Sequence, residues 1–147
     1  GWASRARTDY DGDGCRDETE DLDDDNDGIC DAGNFNENCQ VSTMSVDLCP
    51  FSRLGFVSNS QTDNDADGCE DATEDADDDN DGYIDEYEIF SDSDPFDLNS
   101  LPLDSDNDYL PDIVETEITR TNPNNPDTDG DGSIDGRECC PLNPSRN

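Results

Sequence analysis

Aspartates spaced two apart are the dominant chemical feature of this chain. The form DxDxD, then Gly or a substitute, Asp at the ninth position and usually Glu at the twelfth, recurs six times, from Asp9, Asp23, Asp63, Asp77, Asp104 and Asp127. Oxygens at positions 1, 3, 5, 9 and 12, with the backbone carbonyl of position 7, can wrap a hard cation that takes six to eight oxygen ligands at about 2.3–2.6 Å. This is the chemistry of a twelve-residue calcium loop. It assigns Asp9, Asp11, Asp13, the Cys15 carbonyl, Asp17 and Glu20 to loop one, and Asp23, Asp25, Asp27, the Ile29 carbonyl and Asp31 to loop two. Loop three takes Asp63, Asp65, Asp67, the Cys69 carbonyl, Asp71 and Glu74; loop four takes Asp77, Asp79, Asp81, the Tyr83 carbonyl, Asp85 and Glu88. Asp104, Asp106, Asp108, the Leu110 carbonyl, Asp112 and Glu115 form loop five, and Asp127, Asp129, Asp131, the Ser133 carbonyl, Asp135 and Glu138 form loop six.

Position six needs a positive φ to turn the chain around the ion, and Gly14, Gly28, Gly68, Gly82 and Gly132 supply it. Loop five has Tyr109 there, so its turn is expected to be strained or differently formed. Loop two has Asn34 at position twelve, which offers one amide oxygen at most. It is expected to be the weakest binder unless Asp21 or another neighbour completes it.

The loops account for 29 of the 42 acidic residues of this 147-residue chain, and six divalent ions would bring its formal charge from −35 to about −23. The remaining acids, Asp21, Asp24, Asp75 and Asp78 among them, are numerous enough for further ions to be shared between loops. Leu, Ile, Val and Phe total only 23 residues, a composition that ordinarily stays disordered. A solvated acidic tail, however, needs no Gly at a fixed offset and no Glu at position twelve. Asp9 to Asp31 also aligns without gaps to Asp63 to Asp85, with 16 of 23 positions identical, which is duplication and not composition.

The same arithmetic excludes several roles. Seven arginines against 42 acids leave no basic patch to hold a nucleic acid or an anionic membrane surface. No apolar stretch is long enough for a membrane span. The absence of His argues against zinc and against His-based catalysis. Carboxylates could mimic a glycosidase pair, but the loops already use most of them, so no enzyme is expected. Seven cysteines without a zinc pattern suit disulfides of an oxidising compartment, and the start at Gly1 suits a processed extracellular or cell-surface product.

Few regular elements are needed to position these loops. Loops one and two start 14 residues apart, as do loops three and four, leaving no room for the helix that follows each EF-hand or dockerin loop. Short helical turns are expected only after loop four, with Tyr87, Ile89 and Phe90, and after loop five, with Ile113, Val114 and Ile118. Each is expected to end before a proline, in DSDP from Asp92 and TNPNNP from Thr121. The chain divides into a first loop pair (1–31), a less acidic disulfide-stapled insert (32–62), a second loop pair (63–90) and two loop/short-helix repeats with a Cys-Pro tail (91–147). The insert concentrates Phe35, Val41, Met44, Val46, Leu48, Phe51, Leu54, Phe56 and Val57, with a short strand expected at Met44, Val46 and Leu48. It reads as a local mini-core or as a lateral contact surface.

These motifs resemble thrombospondin type 3 repeats, especially the bacterial calcium-binding type. The run DLCPFSRLGFVSNSQTDNDADGCED from Asp47 is similar to that family's Cys-Pro opening leading into an aspartate-rich loop. The segments DDDNDGICD from Asp23, DDDNDGYID from Asp77 and LDSDNDYLPDIVETEITRTNPNNPDTDGDGSIDGREC from Leu103 match its calcium segments. Ala66, Asn34, Tyr109, Cys15 and Cys69 depart from the pattern. The resemblance implies a calcium-organised repeat wire with little regular secondary structure, DxDxDGxxDxxE loops and disulfide staples. It also implies a bridge between Cys49 and Cys69. Cys15 is equivalent to Cys69 but has no upstream partner, whereas Cys140-Pro141 is an opening with no loop after it. Pairing of Cys140 with Cys15 of the next molecule would complete a split repeat and build a head-to-tail filament. Cys15–Cys139 or Cys15–Cys140 within one chain, or a longer array, are the alternatives; Cys30–Cys39 is preferred for the remainder, leaving Cys139 unassigned. The function expected is an extracellular structural subunit of a filament or stalk, rigidified by about six calcium ions and by disulfides. The alternative is a calcium-dependent adhesion or recognition module of a larger surface protein, with a surface or glycan partner left unspecified.

Overall fold

A computed structural model describes residues 8–13, 15–17, 20–31, 39 and 46–145. The expectations placed on Gly14, Asn34, Phe35, Val41 and Met44 lie outside the described residues. The chain forms two compact units, Gly1–Asp75 and Ala76–Asn147, which divides loop three from loop four.

In the described residues regular structure is confined to the second unit. Helix α1 spans Asp85–Ser91, and α2 spans Asp112–Val114 and continues as a π-helical stretch, Glu115–Thr119. A 3-10 turn covers Asp135–Arg137. Each begins at position nine of its loop, so the acid at position twelve follows about one turn later on the same side. Neither longer helix needs its proline to stop it. Helix α1 reverses at Asp92 (φ +62°) and the π-helical stretch at Arg120 (φ +67°), left-handed residues that precede Pro95 and Pro123.

In the first unit, segment 47–58 is the hub. Cys49 is bonded to Cys69, and Cys30 to Cys39. The Tyr10 hydroxyl donates to the carbonyls of Phe51 and Ser52 at 3.1 and 3.2 Å, tying loop one to the hub. Loop two receives the amides of Asp47, Ser52 and Ser58 on Cys30 O, Asp25 Oδ2 and Asp27 O. Loop three is held by the Leu48 amide on Asp67 O, by the Cys49 bridge and by Arg53 on Glu70. The buried Ser52 hydroxyl lies between Gly68 O and the Glu74 carboxylate.

Burial is inverted relative to an ordinary domain. Among the described residues fourteen acidic side chains are buried, whereas the buried apolar ones are Ile29, Phe56, Leu110, Val114, Pro102, Pro111 and the disulfide cysteines Cys30, Cys39 and Cys69. Leu48, Phe51, Leu54 and Val57 are each more than half exposed. Of the described part of the insert only Phe56 and the disulfide-bonded Cys39 therefore behave as apolar core, and most of its other apolar residues form surface.

Candidate metal centre

One network of main-chain amides recurs around the acids of every loop. The position-seven amides of Cys15, Ile29, Cys69, Tyr83, Leu110 and Ser133 donate to the position-five aspartate at 2.6–3.0 Å. The position-two amides of Tyr10, Asp24, Asn64, Asp78, Ser105 and Thr128 donate to the position-nine aspartate at 2.7–3.1 Å. These contacts bring position nine back over the loop's opening. Position six donates to position one in loops two to six, through Gly28, Gly68, Gly82, Tyr109 and Gly132. Tyr109 adopts φ +77° and keeps the contact, so loop five carries left-handed strain but follows the common path.

The position-one aspartates Asp23, Asp63, Asp77, Asp104 and Asp127 accept on both oxygens, whereas Asp27, Asp31, Asp108 and Asp135, at positions five and nine, give amides one oxygen and keep the other. Carboxylate oxygens of Asp9, Asp11 and Asp13 lie within 4.8 Å of one another, as do those of Asp23, Asp25 and Asp27 and those of Asp63, Asp65 and Asp67. Asp17, Asp21 and Asp24 form a further group between loops one and two. The position-twelve acids differ. Glu88 and Glu115 are fully buried, and neither oxygen of either has a donor in hydrogen-bond geometry; both Glu138 oxygens are likewise buried without one. Glu74 instead meets the Ser52 hydroxyl, and Glu20 is exposed.

Burying ionised oxygens without a counter-charge is costly, and the groups respond by holding protons. Burial, reinforced by Asp81 and Asp79, pushes Glu88 up to about 7; burial, then Asp106 and Asp108, does the same to Glu115. Asp27 is raised to about 7 by burial and by Asp25 and Asp23. Orphaned, buried, oxygen-only sets of this kind fit a hard divalent cation, which would satisfy lone pairs that no amide reaches.

Compared with known proteins, the chain matches no family model, no curated protein and no solved structure. The site therefore rests on its own geometry.

That geometry adds a residue the sequence reading did not assign. Asp47 is buried, its Oδ1 accepts the Cys49 amide at 2.7 Å, and its Oδ2 has no donor. Burial pushes it up to about 8, and the charges of Asp27, Asp25 and Asp31 add to the shift. It stands with the acids of loop two, the loop without an acid at position twelve. The only cue was an isolated acid at a Cys-Pro opening, after an insert that removed it from the twelve-residue count. Cys15, Cys139 and Cys140 are in no disulfide within the chain, and the Cys139 and Cys140 sulfurs are 3.4 Å apart.

Proposed function

We propose that this is an extracellular structural protein of the thrombospondin type 3 kind, whose six acidic loops bind calcium and become rigid. The observation that carries the reading is the pair Glu88 and Glu115. Each is fully buried, lies three residues after the aspartate that opens its helix, and leaves two oxygens for a ligand. Bidentate glutamate at this position, with carboxylates at positions one, three and five, suits calcium, whereas magnesium demands near-octahedral geometry and retains water. About six ions are expected, and more where the Asp17, Asp21 and Asp24 group shares one. Asp47 serves as the missing acid of loop two.

The two disulfides fit an oxidising compartment, and among the described residues no helix is long and apolar enough to cross a membrane. The reading assigns no catalysis. Without cations the folded chain crowds like charges, so it should loosen, and millimolar calcium should close it. Limited proteolysis tests this: resistance in calcium and rapid cleavage after chelation are expected, and identical digestion in both conditions contradicts it.

Assembly is the second half of the proposal. Cys140 of one molecule pairs with Cys15 of another, a heterologous link that propagates a head-to-tail filament. The exposed apolar residues Leu48, Phe51, Leu54 and Val57 supply side surfaces for such packing. A non-reducing gel should show a ladder that collapses with reductant and is abolished by Cys15→Ser. Monomer in both conditions would instead favour a recognition module of a larger surface protein.

A further inference from the structure

Tyr83 belongs to two loops at once. Its backbone is position seven of loop four, where the amide donates to Asp81 Oδ1 at 2.8 Å. Its side chain leaves that loop and donates its hydroxyl to Asp104 Oδ2 at 2.9 Å, the first carboxylate of loop five. The same oxygen accepts the Tyr109 amide at 3.1 Å, and Asp104 Oδ1 accepts the Asn107 amide at 2.7 Å. Three donors therefore orient the acid that opens loop five, and one of them is delivered by loop four.

The surrounding packing holds this link in place. The Tyr83 and Tyr109 ring centroids are 6.1 Å apart, and Tyr109 lies so close over Gly82 that a Cβ there would stand 3.1 Å from its ring. The Arg137 guanidinium, from position eleven of loop six, sits 4.7 Å from the centre of the Tyr109 ring. Ring, backbone and hydroxyl of Tyr83 are thus constrained together.

We propose that Tyr83 is a positioning residue that couples cation binding in loop four to cation binding in loop five. This rests on the calcium reading above. An ion in loop four requires the Tyr83 carbonyl and so fixes the backbone from which the hydroxyl projects. Asp104 then meets a donor already in place, and loop five loses less conformational freedom on closing. The coupling is reciprocal, so an ion in loop five equally favours loop four. Loop four's own ligands do not include the hydroxyl, which makes its removal selective.

The test uses the full ¹⁵N-labelled chain titrated with calcium alone, reading the amide of residue 83 for loop four and of Leu110 for loop five. Glu88→Gln weakens loop four directly. With Tyr83 in place, that change should raise the calcium midpoint at Leu110 by about fivefold or more. In the Tyr83→Phe background, which keeps the ring and removes one oxygen, Glu88→Gln should leave the Leu110 midpoint unmoved. A Leu110 midpoint indifferent to Glu88→Gln with Tyr83 present overturns the coupling, even if the phenylalanine variant folds poorly. Equal shifts in both backgrounds also overturn it while leaving calcium binding intact. No calcium-dependent shift at either amide of the unaltered chain, up to about 10 mM, overturns both readings.

Discussion

The Asp47 carboxylate occupies the space that a side chain on Gly68 would need. A Cβ on Gly68 would overlap Asp47 Oδ1, and φ at Gly68 is +98°. Gly132, at the same loop position with φ +104°, would meet nothing within 4 Å. Gly132→Ala should therefore cost the conformational part alone, about 1–2 kcal/mol. Gly68→Ala should cost that and the displacement of Asp47, at least about 1 kcal/mol more. Thermal unfolding of both variants in calcium measures the difference, and equal losses would remove Asp47 from this contact.

Position four of the loops is also left-handed. Asn26, Asn80 and Asn107 sit there at φ +59° to +61°, and Ala66 at +62°. Alanine has no side-chain oxygen to offset that conformation, whereas asparagine tolerates it. Ala66→Asn should stabilise the chain by roughly 0.5–1 kcal/mol. A lower unfolding midpoint in the variant would contradict the assignment.

Loop two should depend on Asp47. Asp47→Asn removes one carboxylate from a set that lacks an acid at position twelve, so calcium affinity read at the Ile29 amide should fall about tenfold. The Leu110 amide of loop five is the control and should keep its midpoint. An unchanged Ile29 midpoint would return Asp47 to a purely structural role beside Cys49.

The cation-free chain should be an acid-stable fold. Asp24, Asp27, Glu88 and Glu115 are raised to about 7 and Asp47 to about 8, against about 4 when unfolded. With folded values above unfolded ones, protonation favours the fold. Stability is then complete below about pH 4 and declines as pH rises through 6 to 8. In chelator the unfolding midpoint should drop over that interval; in millimolar calcium the decline should vanish. A chelated sample that gains stability with rising pH would contradict the burial of these carboxylates.

Much of this arrangement was legible because the loop pattern is local. Spacing alone located Gly28, Gly68, Gly82 and Gly132, whose φ is positive, and it placed the helical turns of loops four and five but not the 3-10 turn Asp135–Arg137 of loop six. The bridges Cys30–Cys39 and Cys49–Cys69 were also anticipated. What escaped was non-local. Asp47 lies beside loop two in space through its amide on Cys30 O, and no twelve-residue window contains both Asp47 and that loop's aspartates. Ser52 is an unremarked serine in sequence, yet its amide binds Asp25 and its hydroxyl meets Glu74, on two different loops. Asp92 and Arg120 show the same limit, since reversal in a left-handed residue leaves a fainter mark than proline.

The inverted interior has a calorimetric consequence. Exposing apolar surface raises the heat capacity on unfolding and exposing polar surface lowers it, and the usual net is about 12–15 cal/mol/K per residue. A chain that keeps acids inside and leaves Leu103 and Ile89 about 70% exposed has little apolar surface left to release. Its stability curve should accordingly be shallow, with little tendency to cold denaturation. Free calcium, more than temperature, should then govern when it unfolds.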